Sequence, residues 1–236
     1  MDQLRMALEQ LKIVTSTEML KTFQTYMEGI LEWNEKINLT AITDKDEFVR
    51  KHYIDSLLCC EFDEMQRADK IIDVGTGAGF PGVPLAIVFP EKQFVLMDSL
   101  KKRLNVIDEL CKALGINNIK TLHGRAEDLS RDRKHREGYD LCVARAVANI
   151  SVLAEYTLPF IKVGGNLLAY KGSDFKRELD EGQKAINLMG GKLAGERAVA
   201  IENLGLNHRI IIINKIKKTP AQYPRKAGTP SKEPLK

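Results

Sequence analysis

A glycine-rich turn between an apolar strand and a short helix constrains the fold of this chain more than any other feature. Residues 71–74 are Ile-Ile-Asp-Val, glycine then alternates with other residues, and an apolar run continues to Phe89. A strand, a glycine turn and a helix in this order form the βα unit that holds a nucleoside-bearing cofactor. We therefore predict that Gly75, Gly77 and Gly79 bind a cofactor, because the missing Cβ lets the backbone approach a ligand closely.

The spacing of these glycines separates two classes of cofactor. A dinucleotide fingerprint, G-x-G-x-x-G, would need glycine at position 80, where this chain has Phe80. The pattern Asp-x-Gly-x-Gly-x-Gly is similar instead to the first motif of S-adenosylmethionine (SAM) methyltransferases. We expect SAM as the cofactor, with Phe80 packed on it; the alternative is an ordinary βα turn with additional glycines.

A carboxylate closes the second predicted strand, where the ribose of a cofactor would lie. Asp98 ends the strand at 93–98 and follows Gly75 at close to the ~20 residues expected of an acid that accepts ribose hydroxyls. Asp98 is therefore predicted to bind the cofactor. The alternative is that it only caps the helix that follows.

Strand-like and helix-like segments alternate from residue 70 onward. Strands are predicted at 70–74, 93–98, 119–122, 139–144 and 166–170, and helices at 81–89, 101–115, 148–161 and 175–189. A turn at 163–165 precedes the fifth strand, and two final runs, 192–201 and 208–216, form a hairpin around a turn at 203–207. The order predicts an α/β, Rossmann-like class I methyltransferase fold with a doubly wound, mostly parallel seven-stranded sheet and an antiparallel C-terminal edge hairpin.

The segments on either side of this domain differ from it. Residues 1–60 carry apolar residues at helical spacing and predict an N-terminal helical region packed on the main domain, 61–218. The prolines and the glycine of residues 219–236 exclude regular structure and predict a tail that is extended or wrapped on the body.

Positive charge is concentrated in this tail. Residues 215–236 carry a local charge of +6 within a chain of net charge +4, so the rest carries about −2. An aromatic ring among cations mixes a stacking surface with phosphate-binding charge, as in RNA-binding proteins. The tail residues predicted to bind RNA are Lys217, Lys218, Tyr223, Arg225 and Lys226; the alternative is a solvated, disordered end.

Several classes are excluded by composition. No apolar run approaches the ~18 residues of a membrane span, and the N-terminal sequence lacks the basic-then-apolar order of a signal peptide. The four cysteines lie in apolar stretches without CxxC spacing or a Cys/His cluster. We expect buried, reduced thiols, no bound metal, no membrane partner, and a monomer in the cytoplasm.

The ends of the remaining strands supply the other candidate site residues, because the carboxyl ends of parallel strands meet at one edge of the sheet. Ala126 and Glu127 follow the third strand, where adenine is usually held. Arg125 also follows that strand, Arg145 follows the fourth, and Lys171 follows the fifth. Arg145 is expected to lie beside the methyl acceptor.

The residues after the fourth strand limit which kind of atom can accept the methyl group. Enzymes that methylate an exocyclic amine usually carry Asp/Asn-Pro-Pro-aromatic here, whereas residues 144–149 are Ala-Arg-Ala-Val-Ala-Asn. Carbon methylation of a pyrimidine needs a cysteine nucleophile, and Cys142 lies within a predicted strand. An acceptor with a free lone pair remains, such as guanine N7, which needs positioning and electrostatics but no general base. Arg145 is the predicted catalytic residue, holding O6 or a phosphate.

Motifs in order along residues 25–236 resemble one family. They are Trp33-Asn34, Ile37-Asn38-Leu39-Thr40, His52, Asp55-Ser56-Leu57, the segment 73–87, Gly124-Arg125-Ala126-Glu127, Arg145-Ala146, Thr219-Pro220 and Tyr223-Pro224-Arg225. The chain resembles the RsmG (GidB) family of bacterial 16S rRNA guanine-N7 methyltransferases. The resemblance implies a guanosine near the decoding centre of the small (30S) subunit as the substrate.

The resemblance also implies roles for single residues. It implies SAM contacts at Gly75, Phe80, Ala126, Glu127 and Arg145. It places Asn38 and His52, with Asp55, in an N-terminal part that lies over the cofactor cleft and meets the RNA. For His52 and Asp55 the alternative is a helical i, i+3 pair whose members satisfy one another.

Other functions are compatible with parts of the pattern. A SAM-dependent methyltransferase for a small molecule or a protein would share the glycine turn and Asp98 but would have no use for the basic tail. A non-catalytic, SAM-binding RNA or ribosome assembly factor would bind SAM without methyl transfer. A nicotinamide oxidoreductase is the weakest alternative, because Phe80 breaks its fingerprint.

Overall fold

A single mixed sheet organises the chain. The computed structural model describes residues 1–172, 175–199 and 208–235, and within them seven strands are ordered β3-β2-β1-β4-β5-β7-β6. The strands are β1 (Lys70–Val74), β2 (Gln93–Asp98), β3 (Ile119–His123), β4 (Tyr139–Arg145), β5 (Ile161–Lys171), β6 (Gly191–Val199) and β7 (His208–Lys215). The first five pair in parallel, and β7 is antiparallel to both neighbours. The predicted fold class is confirmed.

Helices cover both faces of this sheet. The longer ones are α2 (Thr17–Asn34), α7 (Lys101–Ala113) and α10 (Phe175–Leu188), which bury apolar stripes at helical spacing. The others are α1 (Asp2–Gln10), α3 (Lys45–Phe48), α4 (Asp55–Leu57), α5 (Asp63–Gln66), α6 (Gly82–Val88), α8 (Ala126–Leu129), α9 (Ile150–Thr157) and α11 (Thr229–Lys232). Helices α1–α7 pack in one hydrophobic core, and α9 and α10 form a second core on the opposite face.

The helical segment from α3 to α4 is continuous but changes its winding. A π-helical turn, Val49–Ile54, links α3 to α4, within the N-terminal region that the sequence predicted to be helical. Such turns often occur at functional sites because they redirect side chains. Here the turn carries His52, which faces the carboxyl edge of the sheet.

The turn predicted at 163–165 is wrong. Strand β5 runs without interruption from Ile161 to Lys171, and its pairing with β4 shifts register between Tyr139 and Leu141. Gly164 has φ +91°, and a Cβ at Gly165 would lie 2.4 Å from the Asp140 carbonyl oxygen. The two glycines therefore serve a bulge inside the strand, which a glycine pair in sequence does not distinguish from a turn. The turn predicted at 203–207 lies outside the described residues.

The described part of the tail wraps on the body. The prediction that it lacks regular structure is wrong at α11, whose proline lies in the first turn, where a missing N–H costs no helical hydrogen bond. Because β7 is antiparallel, it ends at the amino edge of the parallel strands, opposite the candidate cofactor site. Thr219 N donates to Glu137 Oε1 at 2.8 Å near that edge, and Gly228 N donates to Glu127 Oε1 at 2.8 Å at the carboxyl edge. The tail thus crosses the whole height of the sheet.

The four cysteines are free and buried, as predicted. Across the three described ranges, no helix combines the length and apolar character that crossing a membrane requires.

Candidate active site

The glycine turn after β1 is hydrogen-bonded to β2 on one side and faces open space at Gly77. The N–H groups of Gly75 and Thr76 donate to the Met97 carbonyl at 2.8 and 3.0 Å, which ties the turn to β2. Gly75, Gly77 and Gly79 all have positive φ, at 77°, 59° and 91°. A Cβ at Gly77 would meet nothing within 4 Å, so this residue presents bare backbone to open space.

The Asp73 side chain stabilises the glycine turn by accepting two hydrogen bonds. Its Oδ2 accepts from Thr76 Oγ1 at 2.6 Å and from Gly82 N at 2.9 Å, and the side chain is buried. Burial raises the pKa of Asp73 to about 6, against the opposing effect of these two hydrogen bonds. Asp73 is therefore a structural acid of the turn.

A cleft of about 300 Å³ lies beside the turn, at the carboxyl ends of β1 to β4. Asp98 Oδ2 accepts from Gly77 N at 3.0 Å, and Oδ1 accepts from Leu100 N at 2.8 Å. Asp98 therefore links the turn to the start of the next helix and also lines the cleft. The predicted binding role and the alternative of a helix cap are compatible, since each carboxylate oxygen has a second lone pair.

The far wall of this cleft comes from α8 and α9. Ala126 and Glu127 are buried and line the cleft, as does Tyr156 on α9, while Arg125 is exposed at its mouth. A cleft with two carboxylates, an aromatic ring and bare glycine backbone fits the ribose hydroxyls and the base of SAM. The residues present therefore fit this cofactor.

A second, larger cleft of about 580 Å³ adjoins the first. Ala146 and Val147 line both clefts and form the wall between them. Ala146 has φ +55°, an uncommon conformation for a residue with a Cβ. Backbone strain at a strand end is characteristic of functional sites, and here it shapes the boundary between the two clefts.

Arg145 is held rigidly in the wall of the second cleft. Its Nη1 donates to Asp55 Oδ2 at 2.6 Å and to the Lys51 carbonyl at 2.9 Å, and its Nη2 lies 3.2 Å from His52 Nδ1. The side chains of Arg145 and Asp55 are only 14% and 3% exposed. His52 and Asp55 therefore both contact Arg145. The alternative, in which the two residues pair only with each other on one helix, did not include this contact.

The arrangement of His52 fixes its tautomer. An arginine only donates hydrogen bonds, so Nδ1 of His52 must accept, and the proton of the neutral ring lies on Nε2. Nε2 then donates to Thr40 Oγ1 at 2.7 Å, and Asn34 Oδ1 accepts from Thr40 N at 2.9 Å. The motif residues of the N-terminal region therefore form one chain of hydrogen bonds that ends at Arg145.

Phe80 packs against this chain of hydrogen bonds and lies outside the 300 Å³ cleft. Its ring stacks on His52 with centroids 4.4 Å apart and planes 2° apart, and the Arg145 guanidinium carbon lies 5.6 Å from its centroid. Phe80 is 5% exposed. Its packing supports His52 and Arg145 in the structure, whereas the sequence predicted that it packs on the cofactor.

The environment of His52 predicts a pH dependence of stability. Burial, and then the Arg145 charge, lower its pKa to about 3 from 6.5. Since the folded pKa is depressed, this contribution to stability is complete above pH 6.5 and is lost as the pH falls toward 3; at pH 5 the loss is about 1–2 kcal/mol. Asp73, whose pKa is raised, acts in the opposite direction between about pH 6 and 4.

A substitution isolates the effect of His52. In His52→Asn the amide oxygen can still accept from Arg145, but the proton uptake on unfolding is removed. We expect this variant to lose less stability than the parent between pH 7.5 and 5, measured by urea denaturation at both pH values. His123→Asn, at an exposed histidine, is the control and should retain the parent's loss. An unchanged loss in His52→Asn would contradict the expectation.

The residues predicted to bind RNA do not lie on one surface. Lys171 lines the second cleft and pairs with Glu178 at 2.6 Å, while Asn38 is exposed in the turn after α2. Lys217 and Lys218 are exposed but lie at the amino edge of the sheet, away from both clefts. In the tail, Lys226 is exposed, Tyr223 packs beside the second core, and Arg225 pairs with Glu155.

The acidic partners of these charges were not predicted from the sequence. Glu155, the acid that Arg225 contacts, is fully buried within α9. A single charged residue in the otherwise uncharged helix Ile150–Thr157 was the available signal, because a buried carboxylate needs a partner. Within residues 1–172, 175–199 and 208–235, no group of three or more His, Cys, Asp or Glu side chains could hold a metal ion.

The sequence is similar to a known family and to named proteins of that family. A family model described as "GidB: rRNA small subunit methyltransferase G" matches residues 19–206. The chain is 52% identical over 214 residues to "Ribosomal RNA small subunit methyltransferase G" of Clostridium tetani, covering 91% of this chain and 90% of that protein. It is 47% identical over 234 residues to the protein of the same name from Clostridium novyi, covering 99% and 96%.

Solved structures agree in fold. An O-methyltransferase from Bacillus cereus in complex with SAH has a TM-score of 0.56 at 14% identity, covering 88% of this chain and 95% of that chain. M. jannaschii TYW2 in complex with AdoMet has a TM-score of 0.54 at 17% identity, covering 75% and 80%. At these identities the likeness concerns the fold alone, which is that of class I SAM methyltransferases.

Proposed function

The chain belongs to the rRNA small subunit methyltransferase G (GidB) family, and from this premise we propose that it methylates small-subunit ribosomal RNA with SAM as its cofactor. We propose further that the acceptor is N7 of a guanosine in 16S rRNA. The observation that carries the proposal is the pair of clefts that meet at Ala146 and Val147. One cleft fits the cofactor, and the other leaves room for a base next to it.

Residues of the smaller cleft would hold the cofactor. Asp98 offers lone pairs to the ribose hydroxyls, Glu127 and Ala126 lie on the adenine side, and Gly75 and Gly77 let the backbone approach. When bound, SAM supplies an activated methyl group on a sulfonium. Since Asp98 is already fixed by two backbone N–H groups, it needs little reorganisation to receive its ligand.

The groups around the second cleft favour an acceptor that loses no proton. The lone pair of His52 Nδ1 is directed at Arg145, and the depressed pKa of His52 keeps the ring neutral. Asp55 is paired with Arg145, and the Tyr170 hydroxyl donates to the Ser56 carbonyl at 2.8 Å. None of these three side chains is available as a general base in this arrangement, and guanine N7 does not require one.

Arg145 would then act by position and charge. Its three protein contacts fix the guanidinium beside Ala146, where it can donate to O6 of guanine or to a phosphate oxygen. N7 of a guanine held in this way would attack the methyl carbon in line with the methyl–sulfur bond, which would break to leave S-adenosylhomocysteine. Fixing the reacting groups in such a geometry supplies a large part of the rate enhancement of many enzymes.

Cations at the same edge would contact the RNA backbone. Lys51 and Arg125 are exposed, and Lys171 lines the acceptor cleft. We propose that these residues bind phosphates around a guanosine that is splayed out of its loop. The tail cations Lys217 and Lys218 would contact RNA only where the substrate extends to the opposite edge.

The deciding experiment is methyl transfer from labelled SAM to unmethylated 30S subunits and, in parallel, to naked 16S rRNA. We expect label in 7-methylguanosine from one short fragment after nuclease digestion. Measurable SAM binding without label in either RNA would contradict the proposed acceptor and would favour a small-molecule or protein substrate, or a non-catalytic assembly role. Loss of transfer with rising salt would support phosphate contacts. Localisation in the cytoplasm and a monomeric state stay predictions.

A further inference from the structure

The C-terminal tail is fastened to the body by two arginines that no motif identified. Arg131 and Arg136 lie between α8 and β4 and are directed at the tail. Arg131 Nη2 donates to the Gln222 carbonyl at 3.0 Å and also to that of Pro224. Arg136 donates to the carbonyls of Thr219, Pro220 and Tyr223 at 2.9, 3.2 and 3.0 Å.

The buried Lys215 fastens the start of the same segment. Its Nζ donates to the Leu158 carbonyl at 2.8 Å, to the Met189 carbonyl at 3.0 Å and to Thr219 Oγ1. The tail therefore leaves the amino edge of the sheet in one defined direction. Charge-assisted hydrogen bonds to main-chain carbonyls fix a backbone path without depending on the tail side chains.

The tail in turn contacts the residues that form the adenine side of the cofactor cleft. Arg225 donates three side-chain hydrogen bonds of 2.7, 3.0 and 3.2 Å to the buried Glu155, and its backbone N–H donates a fourth at 2.7 Å. Gly228 N donates to Glu127 Oε1 at 2.8 Å. The next residue after Glu155 is Tyr156, which lines the cleft.

Tyr156 is coupled to the same tail segment. Burial raises the pKa of Tyr156, the neighbouring Glu127 carboxylate raises it further, and an interaction with the Ser231 hydroxyl lowers it. Tyr156 and Glu127 lie together at one wall of the cleft, and helix α11, which carries Ser231, packs against α9, which carries Tyr156. The tail therefore contacts Glu127 through Gly228 and the helix of Tyr156 through α11.

We propose that residues 219–235 form a strap that positions Glu127 and Tyr156 for the adenine of the cofactor, so that the tail sets the affinity for SAM. Arg225, Gly228 and Ser231 are positioning residues in this arrangement: Gly228 acts through Glu127, which lines the cleft, and Arg225 and Ser231 act on α9, which carries Tyr156. The inference rests on the proposed function only in taking SAM as the ligand, and it is independent of the acceptor. Arg225 therefore serves the cofactor site rather than the RNA.

The test is SAM binding by isothermal titration calorimetry to the full chain without RNA. Arg225→Ala is expected to raise the Kd for SAM at least tenfold and Ser231→Ala about threefold. Lys226→Ala is the matched control, because it removes the same charge at the adjacent, exposed position; its Kd should stay within twofold of the parent. In turnover assays the KM for SAM should rise in Arg225→Ala, while kcat at saturating SAM is retained.

A second variant distinguishes weaker SAM binding from a loss of folding. Arg225→Ala leaves the buried Glu155 carboxylate unpaired, whereas Glu155→Leu combined with Arg225→Ala removes the tether without leaving a buried charge. This double variant is also expected to bind SAM at least tenfold more weakly. Kd values within twofold of the parent in the folded double variant and in Ser231→Ala would overturn the strap. A parent chain that binds no SAM would instead overturn the proposed function.

Discussion

Replacing Gly75 with aspartate is expected to abolish cofactor binding and, with it, methyl transfer. Gly75 has φ +77°, and a Cβ there would lie 2.9 Å from Val147 Cγ2, in the wall that separates the two clefts. The new carboxylate would also face Asp98 and Glu127 across a cleft of about 300 Å³. Steric conflict, backbone strain and like-charge repulsion all act at one point, so we expect the Kd for SAM to rise at least ~100-fold, which is about 2.7 kcal/mol.

The chain offers a matched control for this substitution. Gly115 also has positive φ, +68°, but a Cβ there would meet nothing within 4 Å. Gly115→Asp therefore carries the same backbone penalty, about 1–2 kcal/mol, and the same added charge, away from the cleft. We expect it to lower the thermal midpoint while the calorimetric Kd for SAM stays unchanged. A Gly75→Asp protein that binds SAM like the Gly115→Asp control would remove the glycine turn from the cofactor site.

Replacing Arg145 with alanine is expected to lower methyl transfer by at least ~10³-fold, because the acceptor loses the group that orients it. The substitution also leaves Asp55, which is buried, without the guanidinium that it binds at 2.6 Å. Removing one partner of a buried ion pair costs about 3–5 kcal/mol of folding free energy. Both effects must be measured, by single-turnover transfer to 30S subunits and by urea denaturation.

Two further variants separate the catalytic effect from the structural one. Arg145→Lys keeps a charge for Asp55, but a single ammonium cannot reproduce the fork that spans Asp55, the Lys51 carbonyl and His52. It should restore much of the stability and little of the rate. Arg67→Ala removes an arginine from an exposed pair and should change neither. Near-normal transfer by Arg145→Ala would overturn its assignment to the acceptor.

Much of the fold follows from local patterns in the sequence. Strands β1 and β2 have the predicted bounds because their residues are apolar enough to be buried between two helical layers. The bulge in β5 was missed, since Gly164-Gly165 also suits a turn and only the pairing with β4 decides between them. The helix predicted at 148–161 ends at Thr157, followed by a 3₁₀ turn and then β5.

The candidate site likewise contains residues that the sequence predicted and one contact that it did not. Gly75, Asp98, Ala126 and Glu127 could be assigned from their positions at strand ends, because parallel strands bring such ends together. The pairing of Arg145 with Asp55 joins residues 90 positions apart. It depends on how the N-terminal helices pack over the sheet, which no spacing in the sequence specifies.

By itself, the sequence determined the order of strands and helices, the glycine turn and the edge of the sheet at which a cofactor would lie. Those features depend on hydrophobic periodicity and on the conformational freedom of glycine, which act over a few residues. Only the tertiary structure decided which charges meet. It directed His52 and Asp55 to Arg145, and it turned Arg225 from a predicted RNA contact toward Glu155. The physical reason is burial: a charge removed from water must find a partner, and the fold determines which one lies within reach.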